Sequence, residues 1–181
     1  MLIKEFCAEN LTDLASLTTP EITRVELCDN LAVGGTTPSY GVIKEAARYL
    51  HEKGISLATM IRPRGGNFVY NDLELRVMEE DILQAVELES DSLVLGLLTA
   101  DNQLDTEAIE QLLPATQGLP LVFHMALTSF PKTNKKQPWT SSLTMASSAF
   151  SCTVQLSVVI SLTMPTTSKN WLNMQPVVSK S

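Results

Sequence analysis

Short, apolar, β-rich runs recur along residues 1–126, and helical patterns fill the spaces between them. LIKEFCA reads as the first strand, with a helical stretch predicted from Asn10 to Leu17. RVELC, ending at Cys28, is the second. Pro38-Ser39 then opens a helix whose apolar residues, Val42, Ile43, Ala46, Ala47 and Leu50, follow 3.6-residue spacing. Gly54 stands where a helix C-terminus favours glycine. SLATMI is a third strand with IRPRGG as its exit loop, and Asn71-Asp72 caps a long helix striped by Leu75, Met78, Ile82, Ala85 and Val86. SLVLGLL, DTEAIEQLL and PLVFHMA complete the series as strand, helix and strand.

Strand, loop, helix, loop, strand at this spacing is the rhythm of a parallel sheet. The almost wholly apolar fourth strand fits a sheet covered on both faces. A doubly wound sheet and a (β/α)8 barrel both satisfy the pattern. No GxGxxG follows the first strand, which removes the usual dinucleotide-binding marker. Polar residues gather instead at the C-terminal ends of several strands, the functional face of a barrel. The expectation is an α/β, TIM-barrel-like chain that is incomplete, with about four βα units plus a fifth strand.

The rhythm stops where the composition changes. All 20 Asp and Glu residues lie at or before Glu110, and all 8 Gly at or before Gly118. Residues 1–127 therefore hold 8 of the 13 Lys and Arg against 20 acids, a net charge of −12; residues 128–181 hold the other five and no acid. A Ser/Thr-rich tail follows, without the glycines and carboxylates that turns and helix caps use. Residues 1–127 are expected to form the partial barrel and 128–181 a separate tail. Within the tail, residues 150–164 alternate strictly, with Phe, Cys, Val, Leu, Val, Ile, Leu and Met at the even positions, which predicts an amphipathic strand. That strand has no charge; it can cap the open edge after the fifth strand or pair between chains, so self-association is a further expectation.

The overall charge of −7 argues against nucleic acid as a partner, since phosphate binding needs a basic face. No run of eighteen apolar residues points to a membrane span, and MLIKEFCAEN lacks the apolar stretch of a signal peptide. Three scattered cysteines make no disulfide framework and read as reduced thiols in the cytoplasm.

Side chains alternate along a strand, so Glu5 and Cys7 share one face of the first, and Arg24, Glu26 and Cys28 one face of the second. If these strands are neighbours, the two thiols come within reach of one soft metal ion, and two sulfurs without a histidine cluster lean towards Cu(I). The alternative is two cysteines acting as small core hydrophobes. In IRPRGG, Arg62 and Arg64 flank a stiffening proline, and two guanidinium groups on a rigid loop suit a carboxylate or phosphate. Equally, each can pair with an internal carboxylate such as Glu5 or Glu26. His124, near the end of the fifth strand, is a candidate acid, base or ligand, with Glu26 a second catalytic candidate; His51 reads as solvated. No nucleophile with an adjacent base can be assembled, which leaves enzymatic activity undecided.

The blocks RVELCDN, GGTTPSYGVIK, IRPRGGNFVYND, VLGLLTADNQLD and PLVFHMA together resemble the CutC copper-homeostasis family over about residues 1–126. The resemblance implies a cytoplasmic TIM barrel with a role in copper tolerance and Cu(I) as the bound species. Glu26, Cys28, Arg62, Arg64 and His124 fall on the shared motifs, and Cys7 matches a cysteine frequent in the family's first strand. Where the family continues FHRAFD into three more βα units, this chain reads FHMALTSFPKTNKKQ, with Thr128 in place of the aspartate. A reading-frame shift close to codon 127 is the expected cause, and with the aspartate and later strands lost, an inactive truncated fragment is a further reading of the chain. The other two frames of the coding sequence beyond that codon should then restore FD and the missing units; frames without them would rule the shift out.

Overall fold

A computed structural model describes residues 4–12, 14–17 and 21–123, together with the backbone of two short strands further on. Five parallel strands form its centre: β1 (Glu5–Glu9), β2 (Arg24–Cys28), β3 (Ser56–Met60), β4 (Ser92–Leu95) and β5 (Leu121–Phe123). They lie side by side in chain order. Between them run α1 (Tyr40–His51), α2 (Asp72–Glu87) and α3 (Thr106–Leu112). The backbones of β6 (Leu143–Ser147) and β7 (Phe150–Gln155) pair antiparallel, and β7 lies parallel to β5. β7 falls within the predicted strand at 150–164, whose remainder lies outside the described residues.

Strand alternation separates two environments. Phe6, Ala8, Val25, Leu27, Leu57, Leu93, Leu95, Leu121 and Phe123 all point to one face, where α1, α2 and α3 cover them in two continuous apolar clusters. Each such side chain removed from water contributes about 1.5–3 kcal/mol. Cys28, Ala58, Met60, Val94 and Val122 form a smaller cluster on the other face, with Cys7 packed against it. A doubly wound sheet reverses its strand order and carries helices on both faces. Sequential order with helices on a single face is the wall of a barrel, as the loop-and-strand pattern predicts.

The helices begin and end where their residues dictate. Ile43, Ala46, Ala47 and Leu50 are the buried stripe of α1, and Gly54 follows with φ +69°, a left-handed conformation that glycine adopts without strain. In α2, Leu75, Met78, Ile82 and Ala85 face inward. The Asn71 side chain accepts from the Leu73 and Glu74 amides at 2.9 and 3.1 Å, while Glu74 accepts from the Asn71 amide at 2.9 Å, a reciprocal cap.

Two expectations need correction. Among the described residues, the only helical element from Asn10 to Leu17 is a 3-10 turn, Leu14–Ser16. Asn10 has φ +53° and donates its amide to Cys28 O, so it turns back over β2 rather than starting a helix. The fourth strand pairs only from Ser92 to Leu95; beyond it, Leu97 and Leu98 bond to Asp105 and Phe68 in the loops, and Leu98 and Leu104 make an isolated bridge.

Candidate metal centre

Parallel pairing sets Cys7 opposite Glu26 and Glu9 opposite Cys28, so the inward side chains of β1 and β2 lie in one row. Along it, Glu5 pairs with Arg24 through a short ion pair, both residues nearly buried. One step on, the Cys7 thiol donates to Glu26 Oε1 at 3.6 Å, and its Sγ lies 3.4 Å from Cys28 Sγ. Cys28 Sγ also reaches Ala8 O at 3.5 Å. Both cysteines are free, and a donor atom from each of Cys7, Glu26 and Cys28 falls within one 4.8 Å group.

The electrostatics disfavour the charged forms of Cys7 and Glu26 when no cation is near. Burial, helped by the negative field of Glu5, pushes the Glu26 carboxyl up to about 7, although the Cys7 hydrogen bond and Arg24 pull the other way. Glu5 is also raised, mainly by burial, against the pull of Arg24. The Cys7 thiol is driven far above the ordinary thiol range, first by its hydrogen bond with Cys28, then by burial and by the charges of Cys28 and Glu26. A bound cation reverses that balance, because a coordinated thiol gives up its proton. Two soft sulfurs with one carboxylate beside them fit a soft metal ion.

The other sequence-predicted residues are not part of this group. Arg62 is buried in the loops at the C-terminal ends of β2 and β3, where it donates to Val33 O at 3.0 Å, Gly35 O at 2.9 Å and Gly66 O at 2.8 Å and stacks on Phe68 at 4.7 Å. Arg64 is paired with Glu74, donates to Val69 O at 2.8 Å and stacks on Tyr70 at 5.1 Å. Neither pairs with Glu5 or Glu26: Glu5 is taken by Arg24, and the carboxylate that holds Arg64 is the cap of α2. His124 lies outside the described residues. His51 is exposed, as expected, and it also bonds Asp91 Oδ2 at 2.9 Å; the same oxygen accepts from the Leu57 amide.

A cavity of about 490 Å3 lies beside the arginine loop, lined by Thr37, Ser39, Tyr40, Arg62, Arg64 and Asp81 among others. Burial raises the Asp81 carboxyl, with a Thr37 hydrogen bond opposing the shift. Sequence reasoning missed Asp81, whose place on α2 carries no local motif.

Glu26 makes stability depend on pH in the metal-free chain. Below its ordinary value of 4.5, folded and unfolded chains both hold the proton. As pH rises from there to about 7, the unfolded chain releases it first, so folding weakens across that window. Glu26→Gln should match the parent at pH 4 and gain stability relative to it at pH 8, read by urea unfolding of chelator-treated protein. Equal stabilities at both pH values would disprove the assignment.

The CutC family model matches residues 2–138, running past the boundary at 127 drawn from composition. A CutC protein of Streptococcus pyogenes is 74% identical over 136 residues, covering 75% of this chain and 65% of its own length. A CutC protein of Enterococcus faecalis is 50% identical, covering 74% of this chain and 64% of its own length. The human copper homeostasis protein cutC homolog is 38% identical over 124 residues, covering 68% and 44%. The crystal structure of CutC from Streptococcus agalactiae superposes with a TM-score of 0.73 at 79% identity, covering 75% of this chain and 65% of that one. The chain thus spans less than two thirds of the length of its bacterial relatives. The match over 2–138 and the shared parallel βα wall make this chain a member of the CutC family.

Proposed function

We propose that the chain carries the Cu(I)-binding centre of a copper homeostasis protein, with Cys7 and Cys28 as its ligands. The observation behind this reading is the pair of free cysteine sulfurs, joined by no disulfide, 3.4 Å apart on neighbouring strands. The name of the human relative supports it. Thiolates favour Cu(I) over harder ions, and no histidine joins this donor group among the described residues. Glu26, which already accepts the Cys7 proton's hydrogen bond, supplies an acceptor when the thiol is deprotonated. On this reading the protein works in the cytoplasm, where thiols are kept reduced, and the free state of Cys7 and Cys28 supports it. Among the described residues, no helix is long and apolar enough to cross a membrane.

Cys28→Ser should weaken Cu(I) binding at least roughly tenfold, since even supporting partners of metal ligands act on that scale. A competition titration against a chromophoric Cu(I) chelator measures it; unchanged affinity refutes the centre.

A second reading rests on the cavity. Arg62 is bonded to carbonyls and, among the described residues, to no carboxylate. A buried cation so held attracts an anion. On this reading the cavity takes a small carboxylate or phosphate, with Arg62 and Arg64 supplying the field. Inorganic phosphate should then raise the unfolding temperature in a concentration-dependent way. A flat response up to high phosphate removes this reading and leaves the copper centre standing.

A further inference from the structure

Three sulfur-bearing side chains stand on one face of three successive strands. Cys7 lies on β1, Cys28 on β2 and Met60 at the end of β3. The printed pairing of β2 with β3 sets Glu26 beside Ala58 and Leu27 beside Thr59. One step further along the same parallel register places Met60 beside Cys28. Both belong to the inner-face cluster against which Cys7 packs, and both are almost wholly buried.

Gly35 shows how closely the two side chains converge. A Cβ added there would stand 3.2 Å from Cys28 Cβ, 3.5 Å from Cys28 Sγ and 3.3 Å from Met60 Cε. The thiol of Cys28 and the terminal methyl of Met60 therefore both lie against the side of Gly35 where a Cβ would stand. Gly35 is held in place by its carbonyl bond to the Arg62 guanidinium at 2.9 Å.

We propose that Met60 is a third sulfur ligand, making the centre a Cys7–Cys28–Met60 site selective for Cu(I). This rests on the copper reading above and deepens it. A thioether is a neutral, soft donor with no proton to lose, and it suits Cu(I). Zinc sites in proteins draw instead on thiolate, imidazole and carboxylate. Thus Glu26 on one side of the thiol pair and Met60 on the other offer donors of opposite hardness. The soft donor lies on the Cys28 side, in the buried apolar cluster.

Met60→Leu keeps the volume of the side chain and removes the sulfur. It should weaken Cu(I) binding by roughly tenfold while leaving Zn(II) affinity unchanged, and copper-edge X-ray absorption should fall from three sulfur neighbours to two. Cys28→Ser is the parallel arm. If Cys28→Ser weakens Cu(I) binding but Met60→Leu alters neither affinity nor sulfur count, the Met60 ligand is overturned and the two-cysteine centre survives. If neither substitution matters, both fall. Should Met60→Leu fail to fold, selenium-edge absorption of the selenomethionine-labelled parent loaded with Cu(I) gives the same answer: a copper neighbour is expected, and its absence overturns the proposal.

Discussion

The register between the first two strands is the constraint from which the rest follows. Parallel pairing of Cys7 with Glu26 puts both thiols, Glu5, Glu9, Glu26 and Arg24 on the inner face. The opposite face of the same strands carries Phe6, Ala8, Val25 and Leu27, which are buried under α1. A slip of one residue would send the apolar set inward and the charged set into the helix layer. Burial on the helix side therefore determines which groups meet on the other. The inner row can hold charge only because Glu5 and Arg24 neutralise each other a step below the thiols.

The arginine loop acts as a mechanical part of the same assembly. Arg62 gathers carbonyls from the β2–α1 loop and from its own loop, so two separate segments are tied through one planar group. Arg64 does similar work a turn away, joining the loop to the capping residue of α2. Pro63 between them limits how far either can swing. Gly65 belongs to this packing as well, since a Cβ there would fall 2.9 Å from Val33 Cβ. The loop is tied down by the carbonyls that Arg62 and Arg64 gather and by the Arg64–Glu74 pair, and the Arg62 bond to Gly35 O holds Gly35 against Cys28.

How much of this is legible in the sequence differs by scale. Two-residue alternation reveals the inner row, because a side chain's face on a strand depends only on its position. The helix stripes and the Asn71 cap are equally local, and they appear where periodicity puts them. The partners of the arginines were not legible, since Glu74 is a local cap whose side chain also reaches a different loop. Asn10–Leu17 misled because a left-handed residue at its start, bonded to the next strand, outweighs a short helical pattern. Alternation along SLATMI already puts Met60 on the inward side, but its closeness to Cys28 depends on the order in which the strands assemble.

The two cysteines differ in one respect that bears on kinetics. Cys28 is wholly buried, whereas Cys7 keeps part of its surface open. If the pair holds a metal ion as proposed, Cys7 is the sulfur of the two that stands nearer to solvent. A delivery molecule exchanging cargo by sulfur-to-sulfur transfer would touch Cys7 first, and the handover to Cys28 would be an internal event. On that proposal, the depth of the second sulfur would govern residence time and the exposure of the first would govern capture rate.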